Sequence, residues 1–537
     1  MDNDIKDFHL NALNEEPLLR ISIFDSQEYL DFKAMGKFTI QDDDGNDLIK
    51  SINSDLKWRI KIKESRSGKE KYFLVLFESF DKEMVEEKLE IAKKIDENVF
   101  IRTLGGNIFF QNRKINNNTK YILAIGDYHT EIEARRESKR FQPEFIPYVQ
   151  KETIKLPQGQ LEVFDAEYEK SSEASNSIRV IPDDVNTKIK IFSVKSFDEV
   201  LQKHHYSDQV FNGTVEFRID NGSNLMAINE VPLETYLKRV VYSEVGTDLP
   251  TNFLKSFAIV CRNEAMSRLN HFQLGDPFNF SNMAPSLRYY GDDFENKDIN
   301  DAVESTRGQI LLTKDHIRDT PFHLICGGHT EDSEGFWEND DKPLFTGKYD
   351  WKNKPKNFGK LNDEKSVRSW IESRPDAWCN LKGREIPDAL EKYKNFFRWE
   401  VSYGRNELED IIRRRTGEDI GTLFDIFPIS RGISGRFNEI ELIGSLKNYR
   451  INGQLNIRQT LDRDILPSSC FILENELDDT GTPIMFNFIG AGQGHGIGLC
   501  KTGAAVMALE DFSPEEILNH YFQDSDLKSI YEIDLNI

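Results

Sequence analysis

Apolar residues recur along this chain at two spacings. They fall at every second position in short segments and at every third or fourth in a few longer ones, so both strands and helices follow. KYFLVLFESF (71–80) alternates and is rich in aromatic and branched residues, which predicts a strand. In KEMVEEKLEIAKKI, which follows it, Val85, Leu89, Ala92 and Ile95 form one helical stripe flanked by charges. NVFIRTLGGNIFFQN reads as a hairpin turning at Gly105-Gly106, KYILAIGDYHT as a strand and EIEARRESKRF as a polar helix. The order strand, helix, two strands, helix and one further strand predicts a small α+β module over about residues 57–150, within an N-terminal region of 1–150. Residues 151–205 are polar and read as a linker with irregular strands, SSEASNS (171–177) being a candidate linker or exposed loop. VEFRID, a turn at Asn221-Gly222 and LMAINEVP then predict a hairpin leading into a helix. The expected fold is α+β and multi-domain, divided into 1–150, 151–205 and a large domain over 206–537.

The helix after Pro232 is the first element that suggests chemistry. In VPLETYLKRVVYSEV, residues Leu233, Tyr236, Leu237, Val240 and Val241 lie on one face, and one more turn of that stripe brings Glu244. A carboxylate at the end of a buried face is costly to ionise, so its pKa should rise toward neutrality, as a general acid requires. The plain alternative is a frayed helix end with Glu244 in solvent. A second helix, TNFLKSFAIVCRNEAMSRL, carries Leu254, Phe257, Ala258, Cys261, Ala265 and Leu269 as its core stripe, with Arg262 on the flank. Such an arginine can fix a carboxylate or grip a sugar in bidentate fashion, or lie on the surface with its stem on the core. Toward the C-terminus, glycines at 490, 492, 494, 496 and 498 alternate around His495. Backbone at Gly494 and Gly496 can approach a bulky ligand, with His495 projecting from the turn; a tight structural loop fits the same pattern. SPEEILNHYF opens with a Ser513/Glu516 capping box and Pro514, and reads as structural.

Composition narrows the partners. The 537 residues exceed what one core usually organises, and 38% hydrophobic with 30% charged residues is ordinary for a globular protein. With 69 basic against 92 acidic side chains the net charge is -23, a field that repels nucleic-acid phosphates and anionic lipid. No apolar run is long enough to predict a transmembrane helix. The opening residues lack the basic and apolar regions of a signal peptide, and the five cysteines (261, 326, 379, 470 and 500) show no CxxC spacing. These features predict a reducing cytoplasm and buried thiols, and no cofactor is expected. His323, Cys326 and His329 do not suit a shared ion, because strand alternation puts Cys326 on the opposite face from the two histidines.

The motifs together carry a resemblance. NEVPLETYLKRVVYSEV with LKSFAIVCRNEA, TRGQILL (306–312), CGGHTEDSEGFW (326–337), FRWEVSY, ISRGISGRFNEIELIG and GAGQGHGIGLCKTGAAVMA (490–508) occur in the order seen in the SpoIID/LytB family. The resemblance spans about residues 206–537. It implies a lytic transglycosylase that cleaves the bond between N-acetylmuramic acid and N-acetylglucosamine in peptide-stripped peptidoglycan, with Glu244 as the catalytic acid/base. The resemblance implies that Arg262 positions substrate, and His495, Gly494, Gly496, Arg288 and Tyr289 are further candidate substrate contacts. The alternative is a non-catalytic glycan-binding partner of a cell-wall amidase, the role associated with the LytB branch. Some members carry a Cys-x3-His-Cys zinc cluster; Ser281, Pro285 and Ser286 stand at the corresponding positions here, which implies no zinc there. Gln493 replaces an aromatic residue usual in the family, and Lys501-Thr502 replaces a pair often Gln-Tyr. FLVLFESFDKEMVEEKLEIAKKI and YILAIGDYHTEIEARRE further resemble the SPOR domain, which implies glycan binding by the N-terminal module; a generic α+β unit without a ligand fits equally. An envelope substrate conflicts with the cytoplasmic reading, and the sequence leaves the location open.

Overall fold

The computed structural model describes residues 5–142, 144–198, 203–282, 286–291, 295–333, 345–353 and 359–534. It is a multi-domain α+β structure. Its N-terminal part is built on two sheets that share one core. The six-stranded sheet runs in the order Ser171–Ser175, Gln158–Asp165, Trp58–Arg66, Tyr29–Met35, Lys188–Asp198 and Lys203–Phe211. The second sheet contains Glu16–Gln27, Leu225–Pro232, Thr214–Ile219, Ser177–Pro182, Lys37–Asp42 and Asp47–Asn53 in that order. Phe32 and Trp58 from the first sheet meet Phe38 and Phe217 from the second. Ring centroids lie 5.5 Å apart for Phe32 and Phe217, and 5.9 Å for Phe38 and Trp58. All four side chains are fully buried, each contributing roughly 1.5–3 kcal/mol of transfer free energy.

This pairing interleaves distant parts of the chain. Strand Glu16–Gln27 pairs with Leu225–Pro232, and Ser177–Pro182 lies between Thr214–Ile219 and Lys37–Asp42. Residues 151–205 supply strands to both sheets, so the irregular strands expected there are regular ones. SSEASNS falls mostly in the edge strand Ser171–Ser175. Polar residues suit an edge, where one face and one row of backbone groups meet water.

A four-stranded antiparallel sheet is inserted between Trp58–Arg66 and Gln158–Asp165. Its order is Tyr148–Lys155, Lys69–Ser79, Lys120–Tyr128, Phe100–Leu104. Helices α1 (Lys82–Ala92) and α2 (Glu131–Ser138) complete a βαββαβ unit. Alternation sorts the faces. Leu74 and Leu76 pack with Val85, Ala92 and Ala134 of the helices, while Phe73 and Val75 join Leu104, Ile122 and Ala124 on the other side. That second face is covered: Leu274 packs on it, Thr153 N donates to Leu274 O at 2.8 Å, and Gln150 Nε2 donates to Phe272 O at 2.7 Å.

The hairpin expected at Gly105-Gly106 does not form. Phe100–Leu104 pairs with Lys120–Tyr128, whereas Gly106–Phe110 leaves for another sheet, between Lys6–Leu10 and Arg113–Asn117. A Cβ on Gly106 would sit 2.1 Å from Lys6 O, so this glycine serves close strand approach rather than a turn. The reversal comes later, at Gln111 and Asn112, both with positive φ. The hairpin expected around Asn221-Gly222 does form: Thr214–Ile219 and Leu225–Pro232 pair antiparallel, closed by Asp220 N to Asn224 O at 2.7 Å.

Helices α3 (Leu233–Val245), α4 (Thr251–Ser267) and α5 (Lys297–Ser305) pack behind these sheets. From Phe253 to Ser267 every residue of α4 except Lys255 is buried. A further unit holds strands Trp399–Gly404, Phe471–Leu477 and Pro483–Gly490 beside a second meander over 423–452, with its own core around Leu408, Phe437 and Phe488. No helix among the described residues is long and apolar enough to cross a membrane.

Charged groups are buried where the βαββαβ unit meets α4. Lys120, 5% exposed, lies 3.3 Å from Glu78 and 3.8 Å from Asp319. His271, 2% exposed, donates Nε2–H to Asn118 O at 2.7 Å. Desolvation, reinforced by the Lys120 charge, holds its imidazole down at about 4. A histidine depressed below its unfolded value near 6.5 stabilises the fold fully above that value, and the contribution is lost as pH falls toward 4. The difference is worth roughly 3 kcal/mol. The melting temperature of the wild type should therefore drop between pH 6.5 and 4.5, and His271→Gln should show a shallower drop in parallel thermal melts. Comparing the two slopes isolates His271 from Glu264, whose carboxyl burial pushes up to about 7 and which acts in the opposite sense. Equal slopes would contradict the assignment.

Candidate active site

The hairpin strand Leu225–Pro232 runs directly into α3, so the sheet fixes where that helix starts. Pro232 offers no side-chain cap, and the gap is filled from far away: Glu16 Oε2 accepts the Glu234 N–H at 3.2 Å. The apolar stripe of α3 is buried as expected, and Glu244 lies in the last turn, before Gly246 ends the helix at φ 76°. Its side chain is 7% exposed.

The carboxylate is held from two sides. Oε1 accepts the Arg288 N–H at 3.1 Å, with Arg288 Nε 3.9 Å away. Oε2 faces Lys501 Nζ at 3.3 Å. The same ammonium donates to Glu244 O at 3.2 Å, satisfying a carbonyl at the helix C-terminus and favourably placed against its dipole. It also lies 5.2 Å from the centre of the Phe322 ring. Tyr290 N donates to Ser243 Oγ at 3.2 Å, so the strip 288–290 is laid against the end of α3 by two backbone bonds. The desolvation anticipated for Glu244 is thus met by a cation. Lys501 was legible only as a departure from the family pattern; nothing local in the sequence placed it beside Glu244. A cavity of about 150 Å³ opens between α3 and α5, lined by Arg239, Tyr242, Asn296 and Ile299 among others, but Glu244 does not line it.

Several expected substrate contacts have other work. Arg262 is fully buried and reaches Glu234, with Nε at 3.1 Å and Nη2 at 2.6 Å, while Nη1 donates to Gln309 O at 2.9 Å. It has no surface to offer a sugar, and its carboxylate partner is Glu234 rather than Glu244. Tyr289 is 1% exposed, donates to Asn229 Oδ1 at 2.5 Å and packs 5.2 Å from Tyr236, so it is a core residue. Arg288, 39% exposed at its side chain, lies beside Glu244.

The glycine run fits protein rather than ligand. A Cβ on Gly494 would meet His323 Cβ at 2.9 Å, and one on Gly496 would meet the Arg436 guanidinium at 2.5 Å. Arg436 is fully buried and donates to Gly494 O, Ser434 Oγ and Cys326 O. His495 Nδ1 accepts the Ile497 N–H at 3.1 Å, and its ring lies edge-on to His323 at 5.6 Å. Desolvation, with the Arg436 charge behind it, holds His495 at about 3, so it acts as a neutral hydrogen-bonding ring rather than a proton donor. Ser281 N bonds to Ser286 Oγ at 3.3 Å, and Pro285 lies outside the described residues, as do residues 334–337 of the CGGHTEDSEGFW motif.

Cysteines that are scattered along the sequence come together in the fold. Cys326, Cys379 and Cys500 converge with Asp350, all buried, with one potential donor atom from each lying within 4.8 Å of the others. Four distant segments meet there, which no spacing rule along the chain could reveal. Cys326 does not share this cluster with His323 or His329.

The architecture, a helix pair presenting a nearly buried carboxylate behind a β-sandwich, defines a multi-domain α+β protein with a candidate acid/base site. Sequence comparison gives the lineage. Residues 221–312 match the family model described as stage II sporulation protein, SpoIID, and residues 331–498 match a domain of unknown function, DUF8618. An uncharacterized protein of Brachyspira hyodysenteriae is 25% identical over 317 residues, covering 59% of this chain and 72% of that protein. A stage II sporulation protein D of Bacillus amyloliquefaciens is 22% identical over 315 residues, covering 56% and 75%. The Bacillus subtilis (strain 168) protein of that description is 28% identical over 142 residues, covering 24% and 41%. These matches support assigning the chain to the SpoIID family.

Removing one partner of a buried ion pair leaves the other charge uncompensated, at a cost of about 3–5 kcal/mol. Arg262→Met should therefore lower stability by that amount in urea denaturation, and adding Glu234→Gln should recover part of the loss. A single variant within about 1 kcal/mol of wild type would contradict the structural role given to Arg262.

Proposed function

We propose that this chain is a peptidoglycan lytic transglycosylase, cleaving between N-acetylmuramic acid and N-acetylglucosamine in glycan strands without stem peptides. The similarity to SpoIID proteins supports a cell-wall-related function of a hydrolase or lyase kind. The finer reading rests on Glu244. It lies in the segment matched by the SpoIID model, and its carboxylate is 7% exposed and gripped on both oxygens, beside the more exposed Arg288.

One carboxyl group suffices for this chemistry. Protonated, it gives its proton to the bridging oxygen as the muramoyl C1–O bond breaks. As a carboxylate it then takes the proton of the muramoyl 6-hydroxyl, whose oxygen closes on C1 to form the 1,6-anhydro ring. No water enters, in contrast to the two-carboxylate hydrolases. Lys501 Nζ, 3.3 Å from Oε2, is the cation beside this carboxyl. Arg288 is placed to hold the strand at the same point.

The Lys501 contact also favours a second reading, in which the chain binds glycan and assists a cell-wall amidase without cutting. Digestion of peptide-free glycan strands, read by mass spectrometry, separates the two. Wild type should release anhydro-muramoyl ends, and Glu244→Gln should do so about 10²–10⁴-fold more slowly. Glycan retained by both proteins with cleavage by neither would reject the enzyme in favour of the binding partner.

A further inference from the structure

Five cysteines are buried in this protein, and three of them are not merely buried. Cys326 Sγ lies 3.4 Å from Cys379 Sγ and 3.0 Å from Asp350 Oδ2. Cys500 Sγ completes a group in which all four donor atoms lie within 4.8 Å of one another. In a tetrahedral zinc site, bonds of about 2.3 Å to sulfur and about 2.0 Å to oxygen put neighbouring donors roughly 3.5–3.8 Å apart. The donors here are already close to such an arrangement and need only small side-chain adjustments to reach it.

The surroundings support the same conclusion. Asp350 is fully buried, and its other oxygen, Oδ1, is occupied by His520 Nε2 at 2.9 Å and the Tyr521 hydroxyl at 3.0 Å. A carboxylate oriented by outer hydrogen bonds, with one oxygen turned to the thiols, has the usual surroundings of a metal ligand. The sulfurs accept backbone N–H groups: Gly328 N on Cys326, and Cys326 N and Gly503 N on Cys500, each at 3.3 Å. Cys500 is also the N-cap of helix Lys501–Leu509, whose positive end stabilises a thiolate. Gly327 and Gly328 take positive φ next to Cys326 and let the backbone fold around the cluster.

We propose that Cys326, Cys379, Cys500 and Asp350 bind a structural zinc ion. The closed set of four protein donors leaves no open position, so the metal would serve the fold and not the reaction. Three thiolates and one carboxylate suit zinc over the harder magnesium or calcium, which take oxygen ligands. The ion would tie together four segments, and one of its ligands directly precedes Lys501, the partner of Glu244.

The test is metal analysis of the full-length protein purified under reducing conditions without chelator. About one zinc per chain is expected, and cobalt(II) exchanged into the site should show sulfur-to-cobalt charge transfer and the strong d–d bands of a tetrahedral thiolate centre. Cys379→Ser and Asp350→Asn should lower zinc content severalfold, whereas Cys261→Ser and Cys470→Ser should keep it. Glu244→Gln should also retain the full zinc content, so failure of the metal proposal is read separately from failure of the catalytic one. Wild type that neither carries zinc nor gives the cobalt spectrum after reduction would overturn the proposal, as would a Cys326–Cys379 disulfide that persists under those conditions. Because wild type decides the outcome, a variant that fails to fold does not.

Discussion

A helix buried on every side cannot leave its polar side chains idle, and α4 carries several. Arg262, Asn263 and Glu264 follow one another in its middle, and each is satisfied by a different piece of the molecule. Arg262 takes Glu234 of α3, Asn263 holds Leu311 N and Leu311 O, and Glu264 accepts the Thr320 N–H at 2.5 Å. A group unpaired there would cost about 1–3 kcal/mol, and more if charged. This requirement fixes α3, the strand Gln309–Thr313 and the chain near 320 relative to one another. The end of α3 where Glu244 lies inherits its position from that frame.

The N-terminal strands belong to the same frame. Glu16, on the first long strand, caps α3 through Glu234 N and also ion-pairs with Arg307. The βαββαβ unit is joined to the body through its sheet face, around Leu274 and the Lys120–Glu78–Asp319 charges. A free-standing module tethered by a flexible linker would look different. Its second sheet face and part of its Tyr148–Lys155 edge are already occupied by the body of the protein.

Local pattern carried the sequence a fair distance. The period of α3 led to Glu244, the alternation around 71–80 separated two faces that the structure does separate, and Ser513 with Glu516 forms the capping box expected of them. These are short-range facts, set by residues within a turn or a strand of each other. What the sequence hid is long-range. Arg262 reads the same on paper whether it faces Glu244 or Glu234, and only the packing of α4 decides. Tyr289, expected to touch substrate, is core instead, because Phe211 and Tyr236 pack against it. Gly105-Gly106 has the composition of a turn, but the partner that required a glycine there was Lys6, a hundred residues earlier. Cys379 and Asp350 stand in unremarkable stretches, and their significance comes only from convergence.

The interleaved sheets have a consequence for how the molecule is made. Strand Glu16–Gln27 finds its long partner in Leu225–Pro232. Lys37–Asp42 pairs at once with Asp47–Asn53 but has its other edge filled only by Ser177–Pro182. A chain emerging from the ribosome N-terminus first thus leaves those edges open for well over a hundred residues of synthesis. The βαββαβ unit, whose contacts are local, can form during that interval, while the sandwich around it must wait. The nascent protein therefore spends its early life with apolar strand edges such as Ile21, Ile23, Phe38 and Ile40 uncovered, the condition under which chaperones are most needed.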